Sequence, residues 1–450
     1  MTQISTFFGL NQTLRGLLAH QRAMDTTGHN ITNANTEGYS RQEAVFAAAT
    51  PYSIEAGLLV DGGGAMLGGG VDIQAFRRIK DGFLDLQFRA QSLRLGDYQT
   101  TTSATQQVED GLSEPGDNGI SAQLDKFWSS WSAVANNPEN LATRQNLVEQ
   151  AKTLAGAIND LDARLNTVKG QLNAEYASLT SSTGDVKSMA DEIAKLNQAI
   201  KDAIAGGDQP NDLYDRRDLL LDKLSSLAQV SHTTLPNGAI TVTFGDAATP
   251  LVDDNTVSWP QTLTNPGGKL GALLNLTKPA LPAPGGTIES YRADLNAFAK
   301  KLADDVNAIH NPGGAGTNFF TYGTATTAAA SLVVSVAATG VRATNGTAAG
   351  ANDVAVAMAK LRGTAPDQAY QALVARIGSE VRNSQRQEAN ANVLASAIDD
   401  RRQSISGVSM DEEMTNLVRF QRGYQASARA MNTVDEMLDQ LINRTGRVGL

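Results

Sequence analysis

The residues best suited to chemistry sit in Asp215-Arg216-Arg217-Asp218, where two carboxylates three positions apart share one face of a helix. Such a pair can serve as general acid and base. The interleaved arginines favour a salt bridge instead, either solvated or between subunits. His20 and His29 lie on or near the first helix, and His310 closes another, where a positive tip suits the helix dipole. The His-Glu-x-x-His spacing of a metalloprotease is absent, and zero cysteines with four scattered histidines leave little for a metal. The glycine-rich run from Gly62 to Gly68 lacks the Gly-Lys-Ser/Thr ending that holds phosphate and magnesium, so it reads as a flexible hairpin. Asp253-Asp254 reads as a turn. Arg77-Arg78 and Arg401-Arg402 read as solvated pairs, or as pairs that meet acidic neighbours at an assembly face. These residues define no active site. The expectation is a protein that is not an enzyme and takes no cofactor or metal.

The elements that carry them belong to a long, polar chain. Its 450 residues give a soft prior of about three domains. The formal net charge of −10 argues against a general nucleic-acid or anionic-membrane surface. No stretch approaches the roughly 18 apolar residues of a membrane span. Met1 to Leu10 lacks a basic region ahead of an apolar block, so no cleaved secretory signal is expected. Only 19% of residues are charged and 5% aromatic, which suits long polar helices better than an aromatic-rich enzyme core.

Thr6 to Ala34 reads as one helix. Phe7, Leu10, Leu14, Leu17, Met24 and Ile31 follow steps of three and four with gaps at Gln21 and Gly28, a narrow a/d seam. A second column, Gly9, Gly16, Ala23 and Asn30, is small and lets another backbone come close. Each glycine inside a helix costs about 1 kcal/mol relative to alanine, so this helix needs partners. At the other end, Ser409 and Glu412 form a capping-box pattern, with Asp411 and Glu413 favourable to the first turn. Met410, Met414, Leu417, Tyr424, Ala428, Met431, Val434, Leu438 and Leu441 continue the seam, with Arg444 in the last turn and Gly446 as the stop. Two narrow seams at opposite ends suggest a paired N/C coiled coil; periodicity alone also fits two ordinary helices of one bundle.

Local sequence separates these readings. Residues 28–41 (GHNITNANTEGYSR) resemble the signature N-I-A-N-x-x-T-x-G-Y of bacterial flagellar rod, hook and hook-associated proteins. Asn30, Ile31, Asn33, Thr36, Gly38 and Tyr39 match it, and Thr32 stands where alanine is usual. Asparagine and glycine at a helix exit permit left-handed turns and bonds from side chain to backbone. Ser409 to Met431 resembles the other half of that signature. Asn211 to Ser225 and Leu295 to His310, the latter followed by Phe319-Phe320, are similar to segments of the hook–filament junction members. The chain is shorter than many members, so an outer domain is expected to be reduced or missing.

Between the ends, Leu147 to Leu179 and Val186 to Ile204 carry a continuous helical seam, read as one rod or as two helices broken near Thr183-Gly184. Ile288–Ile309 and Tyr370–Ile405 repeat the spacing and are its expected partners. Val71, Ile73 and Ala75 alternate; Pro236-Asn237-Gly238 is a hairpin turn before Ile240, Val242 and Phe244; Leu332–Val336 is a strand candidate.

The expected fold is mainly α with smaller β parts, elongated and multi-domain. Residues 1–36 plus 409–450 make a terminal helical coiled-coil assembly core, and 37–90 an extended or β-hairpin connector. Residues 91–230 plus 287–408 make a helical-bundle domain with a strand insert at about 318–350, and 231–286 a small outer β domain. The resemblance implies a structural protein forming the junction ring between hook and filament, exported by the type III apparatus and assembled through its terminal helices. The implied partners are copies of itself in the ring, hook protein below, a second junction protein and the filament above, and an export chaperone on Met410 to Leu441. Neither nucleic acid nor membrane is expected as a partner. The alternatives are another axial protein (hook, distal rod or another junction protein) or a hydrolase carried on the flagellum.

Overall fold

The computed structural model describes residues 7–54, 65–279, 285–314 and 316–440. Leu441, Arg444 and Gly446 lie outside them, as do residues 55–64, which include the start of the glycine-rich run from Gly62 to Gly68. The chain opens on α1 (Phe8–Thr32), then β1 (Gln42–Ala48), β2 (Tyr52–Ile54), β3 (Ala65–Leu67) and β4 (Val71–Arg78). β1 and β4 form one antiparallel ribbon, extended by the shorter pair β2 and β3. The alternation read at Val71, Ile73 and Ala75 lies on β4.

A helical domain follows. It contains α2 (Gly82–Leu112), α3 (Ile120–Asn136), α4 (Leu141–Thr180), α5 (Asp185–Ala205) and α6 (Asn211–Leu227). The long seam is two helices, since a side chain at Gly184 would put its Cβ 2.3 Å from the Ser178 carbonyl oxygen. Only glycine lets the chain turn there. A small sheet comes next, in the order β5 (Val230–Thr234), β6 (Ile240–Phe244), β7 (Val252–Asp253) and β8 (Thr256–Val257). Its hairpin turns at Pro236 to Gly238, where Gly238 has φ +82°. Ile240, Val242 and Phe244 are buried, and Trp259 sets its ring edge-on to Phe244 at 5.7 Å.

The chain then returns through α7 (Gly268–Thr277) and α8 (Thr287–His310). The insert after α8 holds β9 (Phe320–Thr321), α9 (Ala328–Ser331) and β10 (Val333–Val334), with β10 pairing β9. Finally come α10 (Asp353–Ala359), α11 (Ala365–Ser406) and α12 (Met410–Asp439). A cluster of aromatic rings fills the core where α3 meets the insert. Phe127, Trp128, Trp131, Phe319 and Phe320 are all fully buried there, with ring centroids about 5 to 6 Å apart.

His310 corrects its sequence reading. It does end α8, but it is buried against Trp131 and Phe319, and its Nε2 accepts the Arg342 backbone N–H at 3.0 Å. Burial lowers its pKa, so the ring is an uncharged acceptor rather than a positive tip.

Candidate assembly interface

α1 and α12 run antiparallel, and glycines fix their register. A Cβ on Gly9 would meet Val434, one on Gly16 would meet Ser427, and one on Gly423 would fall 2.6 Å from the His20 ring. Gly16, Ala19, Ala23, Thr27 and Asn30 form the buried face of α1. The small column expected from spacing is therefore the contact face, and it draws the two backbones together. The His20 ring fills a notch beside Gly423, with ring centroids 5.7 Å from Phe46 of β1 and 6.4 Å from Phe420. Burial there lowers its pKa and favours the neutral ring.

The apolar seam is placed differently. On α1, Leu10, Leu17, Met24 and Ile31 are half-buried, whereas Phe7 and Leu14 stand 49% and 41% exposed. On α12, Leu417, Tyr424, Met431 and Leu438 are half-buried and Met414 is 50% exposed. Leu18 and Val418, which the a/d reading left out, are exposed as well. Each chain thus closes its own helix pair and keeps apolar surface on the outside.

The two halves of the signature meet at one buried node. Asn30 has two acceptor and two donor positions on its side-chain amide, and all four are used. Its Oδ1 accepts from the Tyr39 hydroxyl at 2.7 Å and from the Gln42 N–H at 3.0 Å. Its Nδ2 donates to the Gln42 carbonyl at 2.9 Å and to Glu413 at 3.0 Å. Glu413, 1% exposed, also accepts from Arg41 Nε at 2.7 Å, and Arg41 reaches Glu412 as well. Burial, then the carboxylates of Asp212, Asp215 and Glu413, push the Tyr39 phenol up, so it stays a donor. Asn33 donates to the His29 carbonyl and accepts from Thr36, which closes the turn that Gly38 completes at φ +78°.

Glu413 and Arg41 were not foreseen as partners. The available signal was an acid in the first turn of one segment and an arginine just after the motif in the other. The capping box at Ser409 is not formed, because Glu412 is drawn to Arg41 instead of back to the helix start. Asn30→Ala takes the partner from both Gln42 backbone groups and from one Glu413 oxygen, and leaves the Tyr39 hydroxyl only His29 Nδ1 at 3.0 Å. It should lower stability by about 2 to 4 kcal/mol, read as a denaturant midpoint shift. Asn30→Asp, which sets a second carboxylate against Glu413, should cost more; an equal or smaller loss would refute the donor role.

Asp215 and Asp218 lie deeper than their sequence reading allowed. Asp215 accepts from the Ser40 N–H at 2.9 Å and from Arg78 at 2.9 Å, while Asp218 accepts from Arg78 at 3.0 Å and Lys80 at 2.7 Å. Asp222 continues the row, taking Arg89 Nε at 2.6 Å and Arg402 at 2.5 Å. The pairing is neither solvated nor between subunits. Asp215, Asp218 and Asp222 on one side of α6 clamp the ends of β4, α2 and α11. Arg78 and Arg402 are likewise internal, whereas Arg77, beside Glu43, and Arg401 stay exposed. Arg216 points outward to Glu192, and Arg217 turns inward to Asn197 and the Gly238 carbonyl. Burial alone would raise Asp218, but Lys80, Arg78 and Arg89 overcome it and hold the carboxyl at about 2. Asp215 stays above the usual carboxylate range, since burial outweighs the Ser40 and Arg78 contacts. These carboxylates are committed to cations. Among the described residues no group of His, Asp or Glu is arranged to hold a metal, and no helix is long and apolar enough to cross a membrane.

Sequence comparison places these ends in one class. The family model "Flagella basal body rod protein" matches residues 10–39, and "Flagellar basal body rod FlgEFG protein C-terminal" matches 401–444. Together they cover most of the antiparallel pair, with Asn30, Tyr39 and Glu413 of its node, which marks an axial protein of the bacterial flagellum. Between them, "Flagellar hook-associated protein FlgK helical domain" matches 105–320. Flagellar hook-associated protein 1 of Bacillus subtilis is 30% identical, over 98% of this chain and 99% of that protein. The proteins of the same name from Salmonella typhimurium and Escherichia coli are 24% and 23% identical, each over 96% of this chain and 99% of their own. The chain belongs to the flagellar hook-associated protein 1 family. The Salmonella alignment runs over 567 positions against 450 residues here, so that relative carries segments without a counterpart in this chain. A solved flagellar hook junction protein FlgK from Burkholderia pseudomallei overlaps 53% of this chain and 46% of its own, with 24% identity and a TM-score of 0.44.

Proposed function

We propose that this chain is a structural subunit of the hook–filament junction, exported by the flagellar system, that assembles with copies of itself through the outward faces of α1 and α12. The carrying observation is that the helix pair closes through small residues and leaves Leu14, Leu18, Met410, Met414 and Val418 exposed. Burying such surface against a neighbour is worth about 25 cal/mol per Å². In this reading Phe7, Leu10, Leu14, Leu17, Met24, Ile31, Met414, Leu417, Tyr424, Met431, Leu438 and Leu441 belong to the assembly interface. Asn30, Asn33, Thr36, Gly38 and Tyr39 shape the exit from α1.

Residues 1–36 and 409–450 act as the assembly core, 37–90 as connector, 91–230 with 287–408 as the helical spacer and 231–286 as the outer domain. Hook protein adjoins the ring below, and a second junction protein and the filament above. A chaperone covers Met410 to Leu441 before export. The chain performs no catalysis, its paired carboxylates being occupied by cations.

Deletion of residues 410–450 tests this reading. Cells making only the truncated chain should build hooks yet shed filament subunits into the medium, and the truncated protein should fail to retain the chaperone. Filaments of normal number on those hooks would overturn the proposal.

A further inference from the structure

His20 is an ionisable ring wedged between three elements: α1, which carries it, α12 and β1. Gly423 leaves the notch that admits the ring, and Phe46 and Phe420 flank it. Its Nδ1 is enclosed and has no hydrogen-bond partner among the described residues. A neutral ring tolerates this, because it keeps its proton on Nε2 and leaves Nδ1 as an acceptor. A protonated ring does not. Its second N–H would point into a closed groove without an acceptor, and a buried donor left unpaired is costly.

The charges around the notch also oppose protonation. α12 has three arginines and no acid from Met414 to Val434, and Arg419 lies over the Phe420 ring at 4.8 Å. Arg422 and Arg429 are exposed. On the ribbon, Glu43 of β1 is paired with Arg77 and Asp72 of β4 with Arg15, while Arg78 is held by Asp215 and Asp218. On α1 itself Arg22 and Asp25 are exposed. Asp25, five positions along, stands about 140° around the helix from His20. Among the described residues no carboxylate is placed to receive a charge on the ring.

We propose that proton uptake by His20 opens the terminal helix pair, so that α1 and α12 are joined by a clasp that holds in neutral surroundings and loosens in mild acid. Resting on the subunit role proposed above, the clasp confines assembly to copies whose His20 is neutral. In the closed pair burial lowers the pKa of the ring, whereas parted helices expose it at its ordinary value of 6.5. The open form therefore takes the proton first as pH falls below 6.5, and closure weakens until the closed form also protonates. Above that range closure is undiminished.

Protease cutting of the purified full chain tests the clasp. Gly16→Cys with Ser427→Cys sets two Cβ atoms 3.9 Å apart, which suits a disulfide, and the chain has no other cysteine. That bond locks the pair and supplies the reference rate at each pH. Relative to the locked chain, cutting within α1 and α12 should rise several-fold from about pH 7.5 to about pH 5.5, within the limit of about tenfold per pH unit for one proton. In His20→Phe and His20→Gln, both neutral at every pH, the ratio should stay flat. An unchanged ratio in the wild type, or an undiminished rise in the variants, would overturn the proposal.

Nuclear magnetic resonance of the unmodified chain gives a second measurement that needs no variant to fold. The His20 ring signal should titrate below the ordinary value of about 6.5; titration at or above it would also overturn the clasp. Neither measurement involves filaments, so the clasp can fail while the subunit role stands. Failure of that role registers separately, as filaments on cells carrying the 410–450 deletion.

Discussion

Gly423→Leu should separate the terminal helices and abolish filament assembly while the central helical domain stays folded. Even the first added carbon would sit 2.6 to 2.8 Å from three atoms of the His20 ring, well inside contact distance. Phe46 and Phe420 flank that ring, with centroids 5.7 and 6.4 Å away, and restrict its movement. α12 must therefore move off α1, and the small-residue contact opens along its length. Isolated helices of this size are marginal in water, and α1 carries internal glycines, so both should fray once parted. Circular dichroism should lose signal approaching the 25 residues of α1 and 30 of α12. Protease should cut within both ends and spare the core around Trp128 and Trp131. Gly28→Ala is the matching control: nothing lies within 4 Å of its added carbon, and alanine there should stabilise α1 by up to about 1 kcal/mol. Full helicity and normal filaments in Gly423→Leu would show that close backbone approach is not what holds the pair.

Asp218→Ala should be the most destabilising single change in the charge clamp. It leaves Lys80, Arg78 and Arg89 around an emptied position, and removing one partner of a buried ion cluster costs about 3 to 5 kcal/mol. The side chains are 18% (Asp218), 19% (Lys80) and 21% (Arg78) exposed, so solvent screens them only partly. The carboxyl is depressed, from 3.8 to about 2 on folding. Its contribution, about 2 kcal/mol by linkage, is present above pH 4 and lost as pH falls through 2. Asp85 and Asp215 are raised by burial and act in the opposite sense, so the informative quantity is wild type minus Asp218→Ala. Denaturant midpoints measured between pH 7 and pH 2 should show that difference shrinking below pH 4. A difference that stays constant with pH would mean the carboxylate is not ionised in the clamp.

The terminal helices and their small-residue column were legible in the sequence because heptad spacing survives translation into a helix face. What spacing could not decide was which face turns inward. The apolar a/d seam looks like the natural contact, yet Gly16, Ala23 and Asn30 occupy it, since the ribbon of β1 and β4 supplies Phe46 and leaves room only for small residues beside α12. α2 gave little hydrophobic period for a similar reason. Its buried side includes Asp85, Arg89 and Gln91, which bond to groups outside the helix, and Thr102 and Thr105, all invisible to an apolar count. The break at Gly184 was undecidable because the seam continues in phase on both sides of it. In the Asp-Arg-Arg-Asp segment the residue types were evident but their partners, Ser40, Arg78 and Lys80, are far away in the chain. The family signature was the most informative local feature, and the four-bond node at Asn30 gives it a physical reason.

The antiparallel register has a consequence for the order in which the molecule is made. A ribosome releases α1 first and α12 last, so the first helix must wait while the whole intervening chain is synthesised and folded. The entropic penalty of that long wait is modest, because loop closure grows only with the logarithm of length. Any product that stops before Met410 leaves its opening helix without a mate. Completion of translation is thereby registered in the closure of the terminal helix pair.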